Sequence, residues 1–188
     1  MKNASLLLIA AFMLLLCGCS SSYKGNGLIA ATQPERAAQP QQATQPSNCT
    51  ADDVALGFDG ADGDFNGMSH SGTYLVLTNK SSRTCRVPRR PKITFLDGKG
   101  STIPATVNVP AGMHPGPVML PVLLAPGASA RSGLRWVSGE VYDHTTCADV
   151  ARATVRLDAG DVSAALQGHM CGDASVGVRF DEPWLQPK

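Results

Sequence analysis

The sequence predicts an all-β fold, a two-sheet, Ig-like β-sandwich of about seven or eight short antiparallel strands. Short runs of alternating apolar and polar residues recur roughly every ten to twenty positions from Asn48 onward, as in half-buried strands. Glycine and proline, at 19 and 13 of 188 residues, mark frequent turns between these runs. No long amphipathic helical pattern interrupts them.

Tyr74–Thr78 shows the alternation most clearly, because Leu75 and Leu77 share one face of the predicted strand. Pro121 restricts its own segment to a sheet edge or a loop. The candidate strands are Val54–Phe58, Thr73–Asn79, Lys92–Leu96, Val118–Leu124, Ala128–Val137, Ala151–Leu157 and Ser175–Phe180.

The alternation also predicts which side chains point into the core. These are Ala130, Leu134, Trp136, Ala153, Val155, Leu157, Val176, Val178 and Phe180. Two segments without clear alternation, Thr146–Ala151 and Val162–Gln167, are expected to form about one helical turn each. Asp97-Gly98 predicts a turn after the Lys92–Leu96 strand.

The N-terminus has the pattern of a lipoprotein signal peptide. Leu6 to Leu16 is an apolar run of eleven residues, too short for a helix that spans a bilayer. The following Leu16-Cys17-Gly18-Cys19 resembles a lipobox in which Cys19 is the lipidated cysteine. We expect residues 1–18 to be removed and palmitate-type acyl chains on Cys19 to anchor the protein. The alternative is an ordinary secretory leader.

The location follows from the anchor. Lipidation would hold the chain on the extracytoplasmic side of a membrane, and the serine after Cys19 points to the outer membrane, facing the periplasm, if the cell has two membranes. Residues 19–47 repeat Ala, Gln and Pro and are expected to be a flexible tether, with a ligand for a proline-binding partner as the alternative. Residues 48–184 would form the folded domain and residues 185–188 a tail.

The charge balance excludes nucleic acid as a partner. Sixteen Lys and Arg residues face fifteen Asp and Glu residues, so no global positive charge attracts a polyanion. Local clusters therefore have to carry any recognition of charge.

Four cysteines remain after Cys19, and an even number in an exported domain predicts disulfides. Of the three connectivities, we favour Cys49–Cys85 and Cys147–Cys171, which keep each loop within its own half of the chain. A zinc site is the alternative, but the sequence has no Cys-x-x-Cys pair to support it.

Several motifs together resemble a bacterial extracytoplasmic family catalogued as domain of unknown function 4232. They are Asn48-Cys49-Thr50, Leu75-Val-Leu-Thr-Asn79 followed by Thr84-Cys85, Leu124–Ala130 with Leu134-Arg-Trp136, and the two C-terminal cysteines. The resemblance spans Cys49 to Trp184 and implies a β-sandwich with the same cysteine pairs. It implies no catalytic residues. Arg86-Val-Pro-Arg-Arg-Pro91 departs from the more apolar segment that the family pattern leads us to expect.

A basic segment surrounds Cys85 and contains no acidic residue. It predicts a surface for an anionic partner, such as phospholipid, lipopolysaccharide, a cell-wall polymer or an acidic protein. The alternative is a solvated turn whose arginines pair with the acidic loop of residues 59–64. The six basic residues are Lys80, Arg83, Arg86, Arg89, Arg90 and Lys92.

Two patterns suggest metal binding. Asp62, Asp64, Asn66 and the glycine after it match the first six positions of a calcium loop, but Thr73 stands where the bidentate glutamate belongs. The alternative is a plain Gly/Asp turn. Methionine and histidine recur together, which suits copper, although they also suit loops and core gaps. The pairs are Met68 with His70, Met113 with His114, and Met170 with His169.

Catalysis is not expected. Ser69-His70-Ser71 places hydroxyls beside an imidazole, but no Gly-x-Ser-x-Gly motif surrounds it. The sequence therefore predicts a lipid-anchored envelope lipoprotein that presents a non-catalytic binding or structural module without a cofactor. An extracytoplasmic copper- or calcium-binding protein is the alternative, and a hydrolase is a remote third.

Overall fold

The computed structural model describes residues 45–108 and 118–188, which belong to one compact unit, Ala43–Lys188. The predicted signal peptide, Cys19, most of the tether, Met113 and His114 lie outside the described residues. Two helices of three residues each, Ala51–Asp53 and Ala61–Gly63, are 3-10 turns. Within the described ranges, no helix is long and apolar enough to cross a bilayer.

The described residues form an all-β fold in two sheets. The strands are β1 (Val54–Asp59), β2 (His70–Asn79), β3 (Cys85–Val87), β4 (Lys92–Leu96), β5 (Thr102–Ile103), β6 (Ala105–Val107), β7 (Val122–Leu124), β8 (Ser129–Val137), β9 (Thr145–Leu157), β10 (Gly160–Asp173), β11 (Gly177–Asp181) and β12 (Gln186–Pro187).

The larger sheet has the order β1-β2-β8-β11-β10-β9-β4-β5, with β12 beside β8 and β6 parallel to β11. The smaller sheet contains β3 and β7. The larger sheet folds over on itself, because β1, β2 and β8 contact β10 although they are not its hydrogen-bonded neighbours. This arrangement encloses the core between two layers, as in a sandwich.

The predicted strands agree with those observed, but the strand count is higher than expected. Every candidate strand overlaps an observed one, and Lys92–Leu96 matches β4 at both ends. Pro121 precedes β7, whose one partner among the described strands is β3, so the expected edge position is confirmed. Asp97 accepts a hydrogen bond from the Gly100 amide at 3.1 Å and so forms the predicted turn.

Two expected helical turns are wrong. Thr146–Ala151 lies in the 13-residue β9, and Val162–Gln167 lies in the 14-residue β10. The two strands pair along almost their whole length, with a register shift between Ala165 and Gly168. That bulge disturbs the apolar alternation in β10, which is why the sequence pattern did not reveal a strand there.

The predicted inward positions are buried, with one exception. Val176 is 52% exposed, whereas Val178 and Phe180 are buried. Gly177 has φ of 85° and starts β11, so Val176 belongs to the preceding turn rather than to the alternating strand. Since positive φ favours glycine, this position ends the pattern.

The core is built from both layers. Leu75, Leu77 and Leu134 have no exposed surface, and Phe95 packs edge to face against Phe180 with ring centroids 5.0 Å apart. Their apolar area removed from water stabilises the sandwich by roughly 25 cal/mol per Å².

Both predicted disulfides are present. Cys49 bonds to Cys85 and Cys147 bonds to Cys171. Cys49 and Cys85 belong to the hydrophobic core cluster, where they tie the entry of the domain to β3. Cys147 and Cys171 face each other directly across β9 and β10.

The C-terminal residues, expected to be a tail, take part in the fold. Leu185 has no exposed surface, and its amide donates to the Arg89 carbonyl oxygen at 2.8 Å. Gln186 and Pro187 form β12 against β8. Leu185 is a single apolar residue and forms no periodic pattern, so the sequence did not predict that the C-terminal segment packs against the domain.

Candidate functional site

A groove of about 480 Å³ lies where the outward faces of β2 and β8 meet the C-terminal segment. Tyr74 on β2 and Arg131 and Arg135 on β8 stand on the face opposite the buried leucines. We call this the Trp184 groove. Its lining residues are Phe65, Tyr74, Arg131, Ser132, Gly133, Arg135, Asp181, Pro183, Trp184 and Gln186.

Two glycines allow Phe65 to close one end of the Trp184 groove. A Cβ at Gly72 would lie 2.3 Å from the Leu134 carbonyl oxygen and 2.9 Å from Phe65, and one at Gly133 would lie 3.2 Å from the Phe65 ring. Phe65 in turn packs edge to face on Tyr74, with ring centroids 4.8 Å apart. The glycines thus fix the orientation of the Tyr74 ring.

The exposed face of Tyr74 carries a cation. The Arg131 guanidinium carbon lies 4.4 Å above the centre of the tyrosine ring, in the geometry of a cation–π contact. Among the described residues, no carboxylate lies within 4 Å of Arg131 or Arg135. Asp181 also lines the groove, but its Oδ1 accepts a hydrogen bond from Asn108 Nδ2 at 2.8 Å. The groove therefore presents two guanidinium groups that form no ion pair among the described residues, beside the carboxylate of Asp181, which faces Arg135 across β8 and β11.

Trp184 connects this groove to two neighbouring hollows. Its side chain is 38% exposed, while the residues around it are fixed by the hydrogen bond from Ser132 Oγ to the Pro183 carbonyl and by buried Leu185. One hollow, of about 400 Å³, includes Arg90 and Glu182. The other, of about 240 Å³, is lined by Arg89, Val118, Met119 and Leu120.

Beneath the first hollow, the buried carboxyl group of Glu182 lies beside Arg90. The Glu182 side chain is 3% exposed, and its Oε2 lies 3.8 Å from Arg90 Nε. Within the described part of the chain, Glu182 Oε1 and Arg90 Nε have no hydrogen-bond partner. Burial raises the pKa of Glu182 to about 8, and the nearby Arg90 opposes only part of this shift. Desolvation outweighs attraction because the two groups make no direct hydrogen bond.

The basic segment does not pair with the acidic loop as its alternative interpretation expected. Arg83 instead contacts Asp53 at 2.5 Å, and Arg90 pairs with Glu182. Hydrogen bonds from the amide and hydroxyl of Thr50, together with Arg83, hold the pKa of Asp53 below its usual value. These two arginines therefore have structural partners outside the loop.

The other residues of the basic segment form no ion pair among the described residues. Arg86 Nε donates to Asn48 Oδ1 at 2.5 Å, and Arg89 Nε donates to the Leu120 carbonyl oxygen at 2.9 Å beside Trp184. Neither guanidinium has a carboxylate within 4 Å in the described ranges. The segment's two lysines, Lys80 and Lys92, are exposed.

The predicted calcium loop folds as a tight turn. Asp62 has φ of 51° and Gly63 has φ of 90°, and the Asn66 amide donates to the Gly63 carbonyl oxygen at 2.8 Å. Asp62 and Asp64 belong to no group of three acidic, histidine or cysteine ligands in the described ranges. The visible role of the loop is to position Phe65.

The proposed copper and hydrolase residues are dispersed. Met68 is 96% exposed and Met170 has no exposed surface. His70 Nδ1–H donates to the Met68 carbonyl oxygen at 3.2 Å, and Ser71 Oγ donates to Ser138 Oγ at 3.0 Å. The structure thus brings neither set together as a site, within the residues it describes.

Sequence reasoning did not identify the Trp184 groove. Arg131 and Arg135 were visible as the polar face of a strand, and Tyr74 as the outward face of another. The sequence pattern does not predict that β2 and β8 are neighbours, or that the C-terminal segment pairs with β8. The sequence did contain one indication of this groove. Trp184, Arg131 and Arg135 occupy positions outside the predicted core, where a large aromatic residue and arginines suggest a binding surface.

A family model with the description Domain of unknown function (DUF4232) matches residues 49–185. No curated protein and no solved structure matches the chain. The family match covers both disulfides and the whole Trp184 groove except Gln186.

Proposed function

Because the chain belongs to the DUF4232 family, which has no known function, we propose its role from the surface of its own sandwich. The proposal is a lipid-anchored protein of the cell envelope whose domain is a non-catalytic binding module for an anionic partner. The Trp184 groove is the binding surface. The partner is an envelope component rich in phosphate or carboxylate groups.

The observation that carries the proposal is Arg131, which lies over Tyr74 at 4.4 Å without a carboxylate partner among the described residues. Stacking fixes the guanidinium plane in advance, so less conformational entropy is lost when an anion binds. A fixed guanidinium matches the two oxygens of a phosphate or carboxylate in a bidentate contact. Arg135, four residues along the same strand and on the same face, extends this positive surface.

The residues around the Trp184 groove suit a partner that has both charged and apolar groups. Trp184 is half-exposed between the arginines and an apolar strip in which Val118 is 92% and Leu120 is 71% exposed. Exposed aromatic and arginine side chains together favour recognition, since each offers a large contact area or directional hydrogen bonds. Arg89 joins the basic segment to this surface beside Trp184.

Because the lipid anchor would keep the domain close to its partner, a weak affinity of the Trp184 groove for that partner would be sufficient for binding. A lipid on Cys19 and a tether over residues 19–47 would confine the domain near its own membrane. The effective concentration of envelope partners is then high, on the order of millimolar for a short flexible connection. Affinity from a few charge-assisted contacts is enough under those conditions.

The test compares two double variants, each of which loses two positive charges, in the full chain carrying Cys19→Ser. Arg131→Gln with Arg135→Gln removes two charges from the groove, whereas Lys99→Gln with Arg152→Gln removes two exposed charges elsewhere. Binding is measured by co-sedimentation with phosphatidylglycerol vesicles, with phosphatidylcholine vesicles as the neutral surface. A second arm uses a soluble glycerol-phosphate polymer.

We expect the groove variant to bind the anionic probe at least about tenfold more weakly than the control variant, since a charge-assisted hydrogen bond contributes about 1.5–3 kcal/mol. Trp184→Ala should weaken binding in the same direction. Binding to vesicles alone identifies a lipid surface, and binding to both probes identifies the phosphate group. Equal losses in the two charge variants, with unchanged thermal melts, would contradict the proposal.

A further inference from the structure

Four polar side chains lie together on one face of the β9–β10 hairpin, away from the Trp184 groove. Cys147 faces Cys171 across the hairpin, and Asp149 faces His169 one step further along. Residues two apart on a strand share a face, so the four form a square. The sulfur atoms and a ring nitrogen of His169 lie within 4.8 Å of one another.

This disulfide differs from the other one in its surroundings. Cys49 and Cys85 belong to the hydrophobic core cluster, whereas Cys147 and Cys171 do not. The neighbouring side chains are open, because His169 is 51% and Asp149 is 89% exposed. Cys171 is itself covered, with 1% exposed surface, so a reductant would approach through Cys147.

Strand pairing on both sides of this disulfide also holds the register of the hairpin. The ladder continues on both sides of the bridge, with Thr146 opposite Gly172 and Ala148 opposite Met170. Met170 has no exposed surface. These contacts would keep the two thiols opposite each other after the sulfur–sulfur bond is broken.

Two hydrogen bonds hold His169 in place on the hairpin. Its Nδ1 lies 2.7 Å from Asp149 Oδ1, and its carbonyl oxygen accepts a hydrogen bond from Trp136 Nε1 at 2.9 Å. A carboxylate that accepts the Nδ1 proton leaves Nε2 as the nitrogen available for a metal. This contact is independent of the cysteines and is the usual support for a zinc-binding histidine.

We propose that reduction of the Cys147–Cys171 disulfide creates a zinc site with Cys147, Cys171 and His169 as protein ligands. Two thiolates and an imidazole are typical zinc ligands, and a water completes the tetrahedral set. The oxidised sulfurs carry no negative charge and do not replace thiolates. The site therefore binds zinc only in the reduced protein, and it goes beyond the binding function proposed above.

A small-molecule or protein dithiol can reduce the Cys147–Cys171 disulfide in a balanced thiol–disulfide exchange. A thiolate of the dithiol attacks Cys147 Sγ and expels the Cys171 thiolate, and the second thiol then releases Cys147 as it closes the reductant's own disulfide. Two electrons pass to the protein, and the two cysteines take up the two protons. Zn²⁺ binding then displaces those two protons as both thiolates coordinate the ion.

The first experiment measures which disulfide is reduced more easily. The full chain carries Cys17→Ser and Cys19→Ser, which leaves the four cysteines of the disulfides. It is titrated with tris(2-carboxyethyl)phosphine, which adds no competing thiol, and trapped thiols are mapped by mass spectrometry. We expect Cys147 and Cys171 to be labelled before Cys49 and Cys85, while circular dichroism retains the β spectrum. Loss of the β spectrum at that stage would overturn the inference.

The second experiment measures metal binding by the selectively reduced protein. We expect one Zn²⁺ to bind, by competition with a chromophoric chelator, and Co²⁺ to give thiolate charge-transfer and tetrahedral d–d absorption. His169→Ala and Asp149→Asn should each weaken Zn²⁺ binding about tenfold or more. His144→Ala, at an exposed histidine in the turn before β9, should have no effect. Absence of binding, or equal binding by His169→Ala, would refute the site.

Discussion

Asn79 connects the two sheets through a side chain without exposed surface. Its Nδ2 donates to the Leu124 carbonyl oxygen on β7 at 2.9 Å and to the Arg83 carbonyl oxygen at 2.8 Å. Its Oδ1 accepts hydrogen bonds from the amide and hydroxyl of Ser81 at 2.9 and 2.7 Å. All the hydrogen-bonding capacity of this buried amide is therefore used, which explains why the strand before Cys85 ends in asparagine.

Replacing Asn79 should be among the most destabilising polar substitutions in the domain. Asn79→Ala removes the Nδ2 donor from the Leu124 and Arg83 carbonyl oxygens and the Oδ1 acceptor from the Ser81 amide, and each buried group left unsatisfied costs about 1–3 kcal/mol. Ser81 Oγ still donates to the Arg83 carbonyl oxygen at 3.1 Å. We expect a loss of about 2–5 kcal/mol in the free energy of unfolding, measured by urea denaturation. Asn66→Ala, at an exposed loop position, should change stability by less than about 0.5 kcal/mol. Similar losses in both variants would contradict this assignment.

Glu182 should make the protein less stable as the pH rises. Its folded-state pKa of about 8 lies above the ordinary value of 4.5, so the folded protein holds a proton that the unfolded chain releases. Stability from this group is therefore complete below the ordinary pKa and declines until the pH passes about 8. Each pKa unit corresponds to about 1.4 kcal/mol. The melting temperature should fall by several degrees between pH 5 and 8.

A matched pair of variants isolates this effect. Glu182→Gln keeps the shape and remains neutral, so the decline between those two pH values should largely disappear. Glu140→Gln changes an exposed carboxylate and should retain the wild-type slope. An unchanged slope in Glu182→Gln would mean that Glu182 remains ionised beside Arg90.

Membrane anchoring should depend on Cys19. Cys19→Ala should leave an uncleaved or mislocalised precursor that no longer incorporates labelled fatty acid, because the acyl chains have no acceptor sulfur. The measurement is fatty-acid labelling with fractionation of the cell envelope. Cys17→Ala is the control and should be lipidated normally. Lipidation lost in Cys17→Ala and kept in Cys19→Ala would reverse the assignment.

Calcium and copper(I) should leave the thermal melt of the oxidised protein unchanged within scatter. The calcium loop lacks the bidentate glutamate, which leaves an affinity of about 10⁻⁴ to 10⁻³ M at best, and the Met68 carbonyl oxygen already accepts a hydrogen bond from His70 Nδ1–H. The melts compare wild type, Asp64→Asn and His70→Ala, with each metal and with chelator. A shift of several degrees at millimolar calcium that disappears in Asp64→Asn would favour the metal-binding alternative.

Local sequence determined most of the longer strands of this protein, β10 excepted, and its covalent frame. Leu75 and Leu77 alternate with polar positions, and that period is fixed by the geometry of a strand wherever it lies. The even number of cysteines after Cys19, together with the predicted leader, predicted disulfides, and the two local loops gave the observed pairs. The family motifs lie in the same segments, so the fold class followed from short-range information.

The tertiary structure decided which strands are neighbours and which charges meet. Arg131 reaches Tyr74 because β8 pairs with β2, and Trp184 reaches both because the C-terminal segment returns to β8. Alternation specifies the face of a side chain but not the strand beside it, since many pairings bury the same leucines. The groove and the β9–β10 cysteine–histidine cluster both depend on contacts between strands, and such contacts are absent from the local pattern.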